Sequence, residues 1–402
     1  MSASRPATPG FPQHLVREDL RDFAGYSSAR TSGPSQVADT SPRVWLNANE
    51  SAGPSVVDAE GRNRRYPEPQ PPDLVEAFAD VWATSPDRVV VGRGSDEAIE
   101  LLVRALCRPG EPRDGIVVTS PTFGMYAVSA RLHGVPVVDV PQLDDGLGWR
   151  VDTAAVAGAV RRSGARLVFL ASPGNPTGTV VPLREVADLA TTLAEQAVVV
   201  IDEAYGEFAE QRSAVTLLEE HPNLVVLRTL SKAHALAGAR VGIALAHPDL
   251  TAVLRRVQAP YPVPTPVAEL ALAALTPEAL AETRSRVGRA LVLRDQVGRW
   301  LRDLPGVRAV YTSEANFLLV RAEDPDRLLT ALDEAGVVVR DLRHQPLLQD
   351  AVRITIGTET DMDQVRQVLD RLTSPTTTGD TTPSVTTTPG ASSTPATQEP
   401  TR

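Results

Sequence analysis

Six short runs of β-branched and aliphatic residues, each continuous rather than alternating, constrain the fold of this chain more than any other feature. They are "RVVVGRG" (88–94), "GIVVTSP" (115–121), "VPVVDVP" (135–141), "ARLVFLASP" (165–173), "AVVVIDEAY" (197–205) and "NLVVLRTLS" (223–231). A strand with water on one face alternates apolar and polar residues, so a strand apolar at nearly every position needs cover on both faces. The stretches between carry apolar residues at helical spacing, as in "SDEAIELLVRALCRPG", where Gly110 follows the stop. Strand and helix in alternation predict an α/β fold with a mostly parallel sheet between helices.

Beyond about Pro277 the texture changes. A long Arg- and Ala-rich helix (278–303) precedes "VRAVYTSEANFLLVRA", a helix at 326–335, "GVVVRDL", "AVRITIG" and a last helix to about Leu372. That order predicts a smaller α+β domain at 277–373 beside a large one at 66–276, with 16–65 as an N-terminal arm and part of the small domain. The chain's 402 residues suffice for two cores. Residues 1–15 are rich in Ser, Pro and Gly, and 374–402 hold one Val as their only large apolar residue. Neither buries enough to offset chain entropy, so both ends are expected to be disordered.

The net charge of -10 argues against nucleic acid or an anionic membrane as the main partner. "MSASRPATPGFPQ" lacks the apolar core of a signal peptide, and no segment reaches the roughly 18 apolar residues of a spanning helix. The expectation is a soluble, cytoplasmic protein. The single cysteine, Cys107, excludes an intramolecular disulfide and a multi-thiolate metal site, and in its helical pattern reads as a small core residue. The histidines lack ligand spacing, so no metal is expected.

Of 40 Lys and Arg residues only Lys232, in "LRTLSKAHALAGARVG", is a lysine. An amine nucleophile must shed its proton, which lysine can do and arginine, charged above pH ~12, cannot. A Schiff base to an aldehyde is therefore a lysine task, and position 232 follows an apolar strand, where α/β sheets present their sites. Asp202 ends "VVVID", 30 residues earlier. By itself it serves equally as a helix N-cap or metal ligand, but beside a pyridine ring it holds the nitrogen's proton. "SPGNPTG" projects Asn175 from another strand end, a bare turn if read alone. "GRGSDEAIELL" turns into a helix whose N–H groups suit a phosphate, although Ser95 or Asp96 serves equally as a plain N-cap. Ser231 and Arg240 add two phosphate ligands. Together these make an aldehyde trap, a ring-nitrogen carboxylate and a phosphate cup, which is the chemistry of pyridoxal 5′-phosphate.

With "WLNANE", "RYPEPQP", "GRGSDEAIELL", "SPTFGMY", "SPGNPTG", "DEAYGEF", "RTLSKAHALAGARVG", "APYPVPTPVA" and "VRITIGT", the chain resembles the fold-type I, class II aminotransferases over roughly residues 23–372. The resemblance implies a homodimer that uses pyridoxal 5′-phosphate to exchange an amino group between glutamate and a phosphate-bearing substrate. It implies that Lys232 carries the cofactor and shuttles a proton, that Asp202 holds the ring nitrogen, and that Asn175 and Tyr205 bond the ring oxygen. The phosphate would rest on Ser95, Asp96, Ser231 and Arg240, with Tyr66 reaching in from a second subunit. Arg353 would clamp the substrate carboxylate, while Arg340 and Tyr26 would pair on the substrate phosphate. Phe123 stands where the family usually has a tyrosine, so only ring stacking carries over. His234 stands where Phe is common and is expected to be a packed or solvent-edge imidazole rather than an acid or base.

Overall fold

The computed structural model describes residues 10–26 and 46–373, so the disorder expected at 1–9 and 374–402 lies outside the described residues. In chain order the first strands are β1 (Val89–Gly92), β2 (Ile116–Val118), β3 (Val137–Asp139) and a small hairpin, β4 (Leu143–Asp144) with β5 (Trp149–Arg150). Then come β6 (Leu167–Ala171), β7 (Val198–Asp202), β8 (Leu224–Thr229) and β9 (Gly242–Leu245). Apart from the hairpin they form one seven-stranded sheet, ordered β1-β9-β8-β7-β6-β2-β3. The pairs from β8 to β3 are parallel, and only β9 runs against its neighbours β1 and β8.

Side chains alternate faces along a strand, and both faces are dry. Val89, Val91, Val168, Leu170, Val199 and Ile201 join one core, covered by helices Pro72–Val81, Thr153–Ser163 and Leu183–Thr192. Val90, Leu167, Phe169, Val198 and Val200 join the other, covered by Ser95–Leu106, Met125–Leu132 and Pro248–Val257. Cys107 lies in this second core, where burial pushes its thiol pKa up.

The N-terminal expectation is corrected from Gly10 onward. Phe11, Leu15 and Val16 are at most 4% exposed and pack into the second core, and the Arg17 N–H donates to the Ala105 carbonyl. Pro- and Ser-rich composition hid three well-spaced apolar anchors. The described start of the 16–65 segment thus lies on the large sheet rather than with the small one.

The small sheet, ordered β10-β11-β13-β12, is antiparallel throughout: β10 (Val307–Val310), β11 (Phe317–Ala322), β12 (Arg340–Asp341) and β13 (Ala351–Thr355). "GVVVRDL" yields only the two-residue β12, its first residues running without ladder bonds. Helices Pro277–Arg302, Pro325–Glu334 and Glu359–Thr373 supply one core face through Val297, Leu301, Leu328, Leu332, Val365 and Leu369. Phe317 turns the other way and packs with Tyr205, Phe208 and Ala233 of the large layer. Among the described residues no helix is long and apolar enough to cross a membrane, and no group of three His, Cys, Asp or Glu is placed to hold a metal.

Candidate active site

Strand register lines up a row of strand ends. Gly92 of β1 pairs with Gly242 of β9, which pairs on its other side with Thr229 of β8. Leu227 of β8 pairs with Asp202 of β7, and Asp202 with Ala171 of β6. Two reversals restore direction, so β1 runs parallel to β8 and its carboxyl end falls on the same edge as theirs. The segments that follow, 93–95, 172–175, 203–205 and 230–232, all leave the sheet on that edge. They enclose a cleft lined by Ser95, Asp96, Phe123, Tyr126, Asn175, Asp202, Tyr205, Ser231, Lys232 and Arg240.

Lys232 opens to solvent at the cleft mouth, yet enough protein surrounds it that burial, then the nearby Arg353 charge, pulls its pKa below the ordinary lysine value. Its Nζ lies 5.5 Å from the centre of the Tyr205 ring. Asp202 is 5% exposed, and burial raises its pKa to about 6 against two opposing hydrogen bonds. Those come from the Tyr126 hydroxyl at 2.8 Å and the Ala204 N–H at 3.1 Å. A buried carboxylate held only by neutral hydrogen-bond donors, with one weak cation nearby, is disposed to take a cationic partner. Burial also lifts the Tyr205 pKa to about 12, keeping its hydroxyl protonated.

Helix Ser95–Leu106 begins at Gly94, whose φ of 79° places it in the left-handed region, and no side chain caps its first turn. A Cβ on Gly242 would sit 2.4 Å from the Ser95 nitrogen, so β9 can approach this helix start only as glycine. Arg240, itself left-handed at φ 54°, donates to Asp96 Oδ2 at 2.9 Å and to Ser231 Oγ at 3.3 Å. A helix N-terminus, two hydroxyls and a guanidinium thus share one end of the cleft, a cup for an anion.

The small sheet adds Arg353, whose Nη1 donates to Asn175 Oδ1 and whose guanidinium lies 5.1 Å from the Phe317 ring centre. Arg340 on β12 pairs in register with Arg353 on β13, and their like charges lower the Arg353 pKa after burial has done so. Two expected residues lie apart from the cleft of their own chain. Tyr66 is 50% exposed and stacks on Tyr261 at 4.7 Å. Tyr26 lines a different groove with Phe23, Arg104 and Arg256, so the expected Tyr26–Arg340 pair does not form within one chain. His234 is packed, its Nε2 3.6 Å from Glu207, a carboxylate that also accepts from buried Arg228.

A family profile, aminotransferase class I and II, matches residues 28–372. The chain belongs to the class I and II aminotransferases. The chain is 54% identical over 355 residues to the histidinol-phosphate aminotransferase of Stenotrophomonas maltophilia (strain R551-3), covering 88% of this chain and 95% of that one. The enzyme of the same name from Xylella fastidiosa (strain 9a5c) is 53% identical over 86% of this chain and 92% of its own. A solved histidinol-phosphate aminotransferase from Sinorhizobium meliloti, in complex with pyridoxal-5′-phosphate, is 29% identical with a TM-score of 0.68, covering 81% of this chain and 90% of that one.

Sequence reasoning passed over one residue of this aminotransferase, Tyr126. It stands three positions after Phe123 in "SPTFGMY", is fully buried, and stacks on Phe169 while its hydroxyl reaches Asp202. A tyrosine on the same helix face as the small residues Ser129 and Ala130 was the available signal, since a buried hydroxyl demands a partner. In Tyr126→Phe the Asp202 carboxylate loses a donor and its pKa should rise further. We expect kcat to fall roughly 5- to 30-fold and the acid limb of the pH profile to move upward. An unchanged pH profile would show that this bond does not tune Asp202.

Proposed function

We propose that this aminotransferase uses pyridoxal 5′-phosphate to move an amino group between L-histidinol phosphate and 2-oxoglutarate, giving imidazole-acetol phosphate and L-glutamate, a step of histidine biosynthesis. The observation that carries the substrate assignment is 54% identity with an enzyme of that name across nearly its whole length. The cleft fits the cofactor on its own chemistry: a lysine of depressed pKa, a buried carboxylate in want of a cation, and an uncapped helix start beside Arg240. When bound, pyridoxal 5′-phosphate supplies an aldehyde carbon that accepts the amino group and a cationic ring that draws electrons from the substrate carbon.

Every other step belongs to this chain. Asp202 keeps the proton on the ring nitrogen, and Tyr126 and the Ala204 N–H keep Asp202 in place. Asn175 gives its Oδ1 to Arg353, which leaves its Nδ2 to donate, with the Tyr205 hydroxyl, to the ring oxygen. Phe123 would cover a ring face, and Ser95, Asp96, Ser231 and Arg240, which line the same cleft, would hold the phosphate. Lys232 carries the cofactor, and its Nζ takes the proton from the substrate Cα and returns one. The working unit is a cytoplasmic homodimer in which Tyr66 and Tyr26, both outside their own cleft, serve the second copy's.

Histidinol phosphate has no carboxylate and glutamate has two, so one cleft must take both. Arg353 meets the α-carboxylate of glutamate, and Arg340 serves the substrate phosphate and the distal carboxylate in turn. Arg353→Ala should therefore impair the glutamate half-reaction far more than the histidinol phosphate one, whereas Arg340→Ala should impair both. Losses of roughly 30- to 1000-fold in kcat/KM are expected. Single-turnover absorbance traces with each amino donor separate the two arginines. Equal losses with both donors for Arg353→Ala would overturn this division.

A further inference from the structure

We propose that Glu97, clasped by Gln258 and Arg93, is a positioning residue that sets the anion cup and hence the affinity for the phosphate end of the cofactor. This rests on reading the cleft as the pyridoxal 5′-phosphate site. Helix starts are usually closed by a Ser, Thr, Asp or Asn whose side chain takes an N–H of the first turn. Here the cap is Gly94, which has no such oxygen. Glu97, in the first turn, instead reaches back past the cap, and its Oε2 accepts the Arg93 N–H at 2.7 Å. This resembles half of a capping box displaced by one residue, since the N–H taken is the one before the cap, and the first-turn N–H groups are left to an incoming anion. Its charge is paired with the Arg93 guanidinium, which donates to Oε1 at 3.1 and 2.9 Å.

Glu97 is itself 6% exposed and held from behind. Gln258 donates to Glu97 Oε2 at 3.2 Å and to the Val91 carbonyl at 3.0 Å. Gln70 donates to Gln258 Oε1 at 2.8 Å and to the Val91 carbonyl at 2.9 Å, and accepts the Val91 N–H at 2.8 Å. Since β1 is the sheet's edge strand, the Gln70 amide does for Val91 what a further strand would do. A continuous line of bonds therefore runs from the edge strand through two amides to the N–H just before the cup. Gly92 makes room for it, because a Cβ there would lie 2.6 Å from Glu97 Oε2.

The test compares pyridoxal 5′-phosphate with pyridoxal, which lacks only the phosphate, by titrating each into cofactor-free protein and following absorbance and fluorescence. In Glu97→Ala the affinity for the phosphorylated form should fall roughly 10- to 50-fold while that for pyridoxal changes less than about twofold. Inorganic phosphate should compete with the phosphorylated form in the wild type and lose most of that competition in the variant. Glu97→Gln, which keeps an oxygen for the Arg93 N–H, should restore the ratio of the two affinities to within about threefold of wild type. Gln258→Leu, which frees Glu97 without touching the helix, gives a second reading through the same ratio should Glu97→Ala fail to fold. Equal losses for both forms would assign Glu97 to the scaffold alone, and no loss would leave it without a role; either overturns the proposal. A wild type that binds both forms equally would remove the phosphate reading of the cup, and this proposal with it.

Discussion

Lys232→Arg should lose transamination by roughly 10⁴- to 10⁶-fold, because one side chain is asked to be both nucleophile and proton carrier and its replacement can be neither. The wild-type amine starts with a depressed pKa, produced by burial and by the neighbouring Arg353 charge, which makes it easier to deprotonate than a free lysine. A guanidinium in the same place stays protonated. The fold should survive, since Lys232 sits at the cleft mouth and contributes little to either core. The variant should still take up the cofactor non-covalently through Ser95, Ser231 and Arg240. Borohydride treatment of the loaded wild type, followed by peptide mass mapping, should place the cofactor mass on the peptide bearing Lys232. Label on any other peptide would remove Lys232 from its role.

Asp202→Asn should move rate and stability in opposite directions. A neutral amide holds the ring-nitrogen proton poorly, so kcat is expected to drop roughly 10²- to 10³-fold. The stability effect follows from burial. The folded-state pKa of about 6 lies above the ordinary 3.8, so the folded protein binds a proton between those values that the unfolded chain does not. Stability of the cofactor-free protein therefore increases as pH falls through 6, and above 6 the ionised carboxylate carries a penalty of about 3 kcal/mol. Asparagine removes that penalty, so cofactor-free Asp202→Asn should melt higher than wild type at pH 8 and lose this advantage near pH 4. A cation bound against Asp202 relieves the same penalty, and the gap should shrink once the cofactor is loaded. Equal melting at pH 8 would show that Asp202 is better solvated than its burial implies.

Much of this site was legible because its chemistry sits where short apolar strands stop. Asp202, Asn175 and the Ser231–Lys232 pair each follow a run of buried aliphatic residues, and a parallel sheet delivers all such ends to one edge. What escaped reading depends on pairing across the chain. β9 is only "GIAL", and nothing local reveals that it runs antiparallel or that Gly242 must admit the Ser95 backbone. The Tyr126–Asp202 bond joins residues 76 positions apart. The opposition of Arg340 and Arg353 exists only through the register of β12 on β13. Residues 10–16 were hidden by their neighbours: the Ser, Pro and Gly of residues 1–15 suggest an unstructured end, but Phe11, Leu15 and Val16 are spaced to reach the core beside helix Ser95–Leu106. Tyr26 was placed by resemblance alone, and within one chain it lines a groove with Phe23, Arg104 and Arg256 instead of the cleft.

The most direct test of the proposed reaction is to incubate the cofactor-loaded protein with L-histidinol phosphate and 2-oxoglutarate and to quantify both products by chromatography. The account predicts imidazole-acetol phosphate and L-glutamate in equal amounts, at a rate well above that with phenylalanine as donor. Glutamate formed readily from phenylalanine but not from histidinol phosphate, or carbon dioxide released in place of an amino transfer, would contradict it.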